Sequence, residues 1–309
     1  MSLLAIDFGG TRTRAAWFSD DLELVQRDEV LSQVNQPAEQ VIERLIETAR
    51  GVVPAGATVR GIGISAPGPL DSRQGIIFQA KTLPDWANVP LVSIVRDAFG
   101  GVPVFMDNDA NLAALAEYHR GAARGANPAL YLTISTGIGG GAILDGKLFT
   151  GSQGLAIEPG HQRFVDPKGR VLRLEELASG TGIARLANEA LAETDTPSTL
   201  RALNVVDSKA VGSAAFAGDA FALDIVTTAA TWLGLGLVNL IHLYNPAAIV
   251  LGGSVTQLGD LLLDPVKQVI ERELLDPRFN SPDLIRLAEL GDSVCLYGAA
   301  QYAHDCLAS

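Results

Sequence analysis

Three glycine turns stand out for what their backbones could bind. "AIDFGGTRTR" places Asp7 ahead of Gly9 and Gly10, "STGIGGGAIL" places Thr136 ahead of Gly137, Gly139, Gly140 and Gly141, and "IVLGGSV" ends an apolar run in Gly252 and Gly253. Successive amides in such turns form concavities suited to an anion, and glycine removes the side chain that would hold the anion away. A hairpin also uses glycine for geometry alone. Three such turns, each following an apolar run, point to the phosphates of a nucleotide. None carries the lysine of a Walker sequence or opens a helix as a dinucleotide fingerprint does.

Acidic side chains accompany these turns. Asp7 would repel a phosphate unless a cation lay between them, and magnesium is commonly held by one or two carboxylates together with substrate phosphates. An aspartate there equally suits a turn cap. "MDNDAN" puts Asp107, Asn108 and Asp109 at the C-terminal end of a strand-like run, where open α/β sheets bind ligands. A carboxylate at that place could accept the proton of a hydroxyl attacking phosphorus, while the neighbouring amide orients the hydroxyl. The same residues would also serve as a helix N-cap. "AIEPGHQRF" sets Glu158 and His161 three apart, and "LRLEELASG" adds Glu175 and Glu176; this suits metal ligation or the hydroxyls of a polyol.

The elements that must position these groups follow from hydrophobic spacing. Strands are expected at 3–8, 14–18 and 22–31, a helix at 36–50, a strand from 59 that ends in a Gly/Pro-rich loop by 70, and a helix at 89–100. A strand at 102–110 then runs into a helix at 110–122. Residues 129–144 repeat the opening pattern of strand, glycine turn and strand, which suggests two related half-structures. A loop-rich stretch to about 170 precedes helical patterns at 171–192 and 197–217, a long helix at 219–244, a strand at 247–255, a helix with a proline in it at 258–274, a strand at 283–290 and a terminal helix at 297–308. Strands alternating with helices imply α/β layers, with a hinge near 110–125.

Composition narrows the function classes. The 309 residues suggest about two domains, and a net charge of −12 argues against binding DNA or anionic membranes through bulk charge. Two cysteines, Cys295 and Cys306, exclude a disulfide framework and a cysteine-rich zinc site. The apolar stretch 219–244 is interrupted by Asp224, Asn239 and His242 and reads as a buried core helix, not a membrane span. No basic segment followed by an apolar one opens the chain, so a cytoplasmic setting is expected.

Taken in order, "DFGGTRTR", "SAPGPL", "DNDANLAALAE", "STGIGGGAILDGKLFTGSQG", "EPGH", "LASGTGIA", "NPAAIVLGGSV" and "LGDSVCLYGAA" resemble the ROK family of sugar kinases and sugar-responsive repressors over nearly the whole chain. The resemblance implies the two-lobed actin-like fold of sugar kinases, with a cleft between two related α/β domains. The expected domains are a small one at 1–115, with a helix at about 295–309 packing back on it, and a large one at 116–294. It makes Asp109 the catalytic base and Asn108 a sugar-binding amide, gives Glu158, His161 and Glu175 to the sugar's hydroxyls, and brings Ser65 and Asn88 to the sugar in loops. Asp7, Gly9, Gly10, Thr11 and Arg12 match one phosphate loop, Thr136 through Gly141 match the other, and Gly252 and Gly253 match the adenosine side. ATP and magnesium are the implied cofactors, with Asp7 reaching the ion through water, and a homodimer is the expected assembly.

This sequence departs from the family's pattern twice. Many relatives place a zinc-binding cysteine cluster after the histidine; here "QRFVDPKGRVLR" has no cysteine, so no structural zinc is expected. Arg12 stands where a lysine is usual, and the two cations differ in geometry. The family's repressors add an N-terminal DNA-binding domain, and only six residues precede Asp7, so a kinase is expected. An assembly protein like actin would leave Asn108, Glu158 and His161 without a purpose. The expected reaction is transfer of the γ-phosphoryl of ATP to glucose, with fructose, mannose or an N-acetylhexosamine as alternatives and a non-catalytic sugar sensor behind them. Lobe closure would exclude water as a competing acceptor.

Overall fold

The opening apolar runs pair as the alternation of their side chains demands. β1 (Ser2–Phe8) lies antiparallel to β2 (Arg12–Phe18), which pairs with β3 (Leu24–Leu31). On its other edge β1 is parallel to β4 (Val59–Ala66), and a small hairpin of β5 (Leu70–Asp71) and β6 (Ile76–Ile77) follows. β7 (Val104–Asn108) closes the order β3-β2-β1-β4-β7. Leu4, Ile6 and Phe8 of β1, with Ile62, Ile64 and Met106, share one core with Val41 and Leu45 of α1 (Ala38–Gly51) and Leu91 and Val95 of α2 (Leu91–Ala98). Leu3, Ala5 and Phe18 face the other way and pack with Leu112 of α3 (Asp109–Arg120) and with Leu296, Ala299 and Ala303 of the last helix, α9 (Val294–Ala308). β4 carries glycine on that second face: a Cβ at Gly63 would lie 1.9 Å from the Ala299 carbonyl oxygen, so α9 rests directly on the sheet.

The structure, a computed structural model, describes residues 2–78 and 86–308. It divides into unit 1, Met1–Arg124 with Thr150–Ala156 and Glu289–Ser309, and unit 2, Gly125–Phe149 with Ile157–Ala288. In unit 2, β8 (Ala129–Ile134), β9 (Ile138–Leu144) and β10 (Lys147–Leu148) form an antiparallel meander. The outlying hairpin β11 (Arg163–Val165) and β12 (Val171–Arg173) leads into α4 (Leu174–Ala178), α5 (Gly180–Glu193), α6 (Ser208–Phe216) and α7 (Ala220–Tyr244). β13 (Ala248–Gly252) runs parallel to β8, α8 (Asp260–Glu273) follows, and β14 (Ile285–Leu287) completes the order β10-β9-β8-β13-β14. Both five-stranded sheets thus share one plan, a three-strand meander whose first strand pairs in parallel with a later strand, which pairs in parallel with a last one. The repeat heard in the sequence is a repeat of topology.

Four expectations need correction. A boundary at 115/116 would cut α3 through the buried residues Leu115 and Ala116; the chain leaves unit 1 after Arg124 and returns to it at Thr150–Ala156. The helical pattern at 171–192 begins with three residues of strand, because "DPKG" turns the chain back on β11. The pattern at 197–217 holds one 3₁₀ turn, Thr199–Ala202, before α6, which starts only after its cap Asp207 accepts the Ala210 N–H at 2.7 Å. The strand expected over 283–290 pairs only at Ile285–Leu287. The long apolar helix α7 would pass for a membrane span by length, but 61% of its most apolar 18-residue window is buried inside the protein.

Candidate active site

In unit 1 the β1–β2 turn is closed by the Gly9 N–H donating to the Arg12 carbonyl at 3.0 Å. Gly10 has no atom near its missing Cβ and no left-handed backbone, so the fold itself does not require glycine there. A close-lying ligand would. Asp7 ends β1 at 6% exposure, and its Oδ2 accepts from Arg14 Nη1 at 3.0 Å. Burial raises the Asp7 carboxyl above its ordinary range, and Arg14 opposes that rise. Arg12 is held on Glu29 of β3, away from the expectation that it serves the phosphate loop. Thr11 is exposed at the tip of the same turn, its carbonyl taken by the Ser32 N–H.

The β7–α3 junction carries the expected base. Asn108, half-buried, caps α3, its Oδ1 accepting the Asn111 N–H at 2.7 Å, so the cap does not use its Nδ2. Asp109 is the first helical residue and is solvent-exposed; its Oδ1 accepts the Ala110 N–H at 2.8 Å. The preceding Asp107 is 1% exposed and its carboxyl is raised by burial. The Cys295 thiol, 3.8 Å from the Asp109 carbonyl oxygen, is held well above the usual thiol range by burial, with Asp7 and Asp109 adding to it. Asn88 is exposed, with a left-handed backbone at φ 56°. Ser65 departs from expectation. It sits in β4 between Asp7 and Asp107, fully buried, so its hydroxyl is not presented to a sugar.

In unit 2 the second glycine turn is Ser135–Gly137, closed by the Ser135 N–H donating to the Gly137 carbonyl at 2.9 Å. It docks on the start of α5: the Gly180 N–H donates to the Ser135 carbonyl at 2.7 Å, and Thr181 Oγ1 to the Thr136 carbonyl at 2.7 Å. A helix N-terminus beside a glycine turn is a ready anion site. Within "LASGTGIA" the sequence signal for this helix start is the Ser179 cap, whose Oγ accepts the Gly182 N–H at 3.1 Å. Gly139, Gly140 and Gly141 lie within β9, paired with Thr133, Leu132 and Tyr131, and not in the turn. Gly140 is small for another reason: a Cβ there would meet the Pro159 ring at 2.6 Å, so the "EPGH" turn can press onto β9.

That turn brings the expected sugar-binding set together. Glu158 and His161 flank one 3₁₀ turn, and the His161 N–H donates to the Glu158 carbonyl at 3.1 Å. Both side chains are solvent-accessible. Partial desolvation nonetheless raises the Glu158 carboxyl, His161 opposing and Glu175 adding to the rise. Glu175 lies close to the glycine turn, its Oε2 3.1 Å from where a Gly137 Cβ would stand, while Arg173 Nη1 holds its Oε1 at 2.7 Å. Among the described residues, no three histidine, cysteine or acidic side chains are grouped to hold a metal. Gly252 ends β13, and Gly253 follows at φ 91°, where a Cβ would fall 2.4 Å from the Ile134 carbonyl oxygen. Beyond it opens a cavity of about 500 Å³ walled by Ile183, Lys209, Ser213, Phe216, Ser254 and Gln257. None of these was singled out from sequence, because a cavity wall has no periodicity of its own.

Residues 3–306 match the sequence model of the ROK family. The chain is similar to a glucokinase of Halalkalibacterium halodurans, 34% identical over 96% of this chain and 92% of the relative. Its fold is similar to the ROK hexokinase from Thermus thermophilus, with a TM-score of 0.83 and 34% identity over 100% of this chain and 99% of the other. It is also similar to a ROK family glucokinase from Streptomyces griseus solved with glucose and AMPPNP, with a TM-score of 0.79 and 31% identity over 99% of this chain and all of that one.

Proposed function

The chain belongs to the ROK family, and from that premise we propose that it is an ATP-dependent hexokinase, transferring the γ-phosphoryl of ATP to the 6-hydroxyl of glucose. The observation that carries this reading is the β7–α3 junction. An exposed carboxylate stands at the first residue of a capped helix, beside an amide whose donor group the cap does not use. Asp109 accepts the sugar's hydroxyl proton as that oxygen bonds to phosphorus and the bond to the ADP oxygen breaks. Asn108 Nδ2 donates to a sugar hydroxyl and aligns it. In unit 2, Glu158 and Glu175 offer carboxylates that accept from sugar hydroxyls, and His161 beside Glu158 offers a ring nitrogen.

In unit 2 the Ser135–Gly137 turn and the start of α5 suit the donor's phosphates, and the cavity beyond Gly253 suits its nucleoside; in unit 1 the Gly9–Gly10 turn is itself open to a phosphate. Magnesium arrives on the nucleotide as part of the substrate and neutralises phosphate charge. Asp7 fits poorly as a direct ligand for it, being nearly buried and already bound to Arg14. Its part is to fix Arg14 beside the first turn. Most of the catalysis is then positioning and charge stabilisation. The reading includes a cytoplasmic homodimer, and a net charge of −12 speaks against nucleic-acid or anionic-membrane partners.

A coupled ADP-release assay across glucose, fructose, mannose and N-acetylhexosamines tests the reading. Turnover should be highest with glucose. Absence of turnover with every hexose would leave a sugar-binding protein in place of an enzyme.

A further inference from the structure

One register row crosses the whole sheet of unit 1. Glu29, Arg14, Asp7, Ser65 and Asp107 are successive partners on β3, β2, β1, β4 and β7. By strand alternation they share the face that Leu3 and Ala5 turn toward α9. Arg14 serves the first half of the row, reaching Glu29 and Asp7. Nothing comparable serves the far end. Asp107 is 1% exposed and has no cation among its hydrogen-bond partners in the described residues. Tyr302 and Cys306 of α9 lie close enough to feel its charge, and both are raised chiefly by burial, with Asp107 adding to it.

What Asp107 does bind is the junction that carries the base. Its Oδ1 accepts the Asn108 N–H at 2.7 Å and Asn111 Nδ2 at 2.9 Å, and the Asn111 N–H in turn fixes the Asn108 side chain at 2.7 Å. Asp107 Oδ2 and Asn111 Oδ1 are buried without hydrogen-bond partners among the described residues. A buried carboxylate without a cation is costly to keep. Here both of its hydrogen bonds go to the residues on either side of Asp109.

We propose that Asp107 is a positioning residue for the phosphoryl transfer: through Asn108 and Asn111 its carboxylate sets the first turn of α3 and so the place of the Asp109 carboxylate. The inference rests on the kinase reading above. A base displaced by about 1 Å loses on the order of 10² in rate while substrates still bind, since they are held by other groups.

The test is steady-state kinetics on Asp107→Ala, Asp107→Asn and Asn111→Ala beside the unaltered protein, with circular dichroism to confirm folding. Asp107→Ala removes both acceptors and should lower kcat roughly 10–100-fold, with KM for glucose and ATP within about threefold. Asp107→Asn keeps an oxygen where Oδ1 stands and should recover kcat to within about fivefold of the unaltered protein. Asn111→Ala removes one of the carboxylate's two hydrogen bonds, that from Asn111 Nδ2, without touching the carboxylate, and should lose kcat roughly tenfold, so the inference stays testable if Asp107→Ala does not fold. Undiminished kcat in Asn111→Ala or in folded Asp107→Ala, a loss confined to KM, or an Asp107→Asn as impaired as Asp107→Ala would overturn the proposal while the kinase reading stands. No turnover by the unaltered protein would overturn both.

Discussion

Replacing Arg14 by methionine should destabilise the protein by an amount that depends steeply on pH. Asp7 is 6% exposed, and Arg14 is its cationic partner at 3.0 Å. Removing one member of a buried pair costs about 3–5 kcal/mol, because the remaining charge is left uncompensated. A carboxylate, however, escapes by taking up a proton. The cost of doing so from an ordinary value of 3.8 is about 5.7 kcal/mol at pH 8 and about 1.6 kcal/mol at pH 5, taking roughly 1.4 kcal/mol per pH unit. That cost is a ceiling on the loss. Asp7 is already raised by burial in the folded protein. Its contribution therefore favours folding most below its unfolded value and is lost as pH rises through the folded one. Without Arg14 the folded value climbs further, and the window of loss widens upward. The expected loss is about 3–5 kcal/mol at pH 8, a fall in Tm of roughly 6–20 °C, and no more than about 1.6 kcal/mol at pH 5. Tryptophan fluorescence in urea reports it directly, since Trp17 and Trp86 both lie in the core of unit 1. In an Asp7→Asn background the same change should cost far less. A loss equal at both pH values, or one below about 1 kcal/mol at pH 8, would refute the argument.

Asp109→Asn should lower kcat by about 10²–10⁴-fold with hexose affinity nearly unchanged; normal turnover would reduce Asp109 to a helix-start residue. Glu158→Gln and His161→Ala should each weaken hexose binding in calorimetry while nucleotide binding is retained, and loss of nucleotide binding instead would reassign the turn. Purified protein should hold no stoichiometric zinc and keep its activity with a zinc-selective chelator while magnesium is supplied. Asp166, the acidic residue in the segment that follows His161, is committed to Arg170 at 2.7 Å, so elemental analysis finding one tight zinc per chain would require ligands from elsewhere.

What the sequence made legible was mostly periodic. The alternation Leu3/Ala5 against Leu4/Ile6/Phe8 names two faces of one strand, and both proved to be cores. The helix-cap and catalytic readings of "NDAN" looked like rivals in sequence. In the structure Asn108 caps and Asp109 faces solvent, so one junction accommodates both. Glycine was the poorest guide. Gly139, Gly140 and Gly141 read as a phosphate loop, yet they lie in β9, where Pro159 needs the room at Gly140. Long-range burial was invisible as well. Glu117 looks like a surface residue of an amphipathic helix, but it is fully buried and accepts the N–H groups of Ala122, Glu289 and Leu290. Nothing within three or four residues of Glu117 announces partners more than 170 positions away.

The segment that carries Glu158, His161 and Glu175 is ordered by charge and packing. Asp166 accepts the Lys168 and Arg170 N–H groups and Arg170 Nε, which closes the β11–β12 turn on itself. Arg170 then reaches Glu189 of α5 at 3.0 Å, Arg185 reaches the same carboxylate at 2.6 Å, and Arg185 Nε donates to the Glu176 carbonyl at 3.1 Å. Each exposed pair alone is worth only about 0–1 kcal/mol. Here they form a chain, so ordering one side chain spares part of the entropy of ordering the next. Phe164 adds an edge-to-face contact with Trp232 of α7 at 5.8 Å between ring centres. The chain ends at the site itself. Arg173 grips Glu176 and, with Nη1, one oxygen of Glu175, leaving the other toward Gly137. The network that folds the hairpin therefore also fixes which oxygen of Glu175 faces the glycine turn.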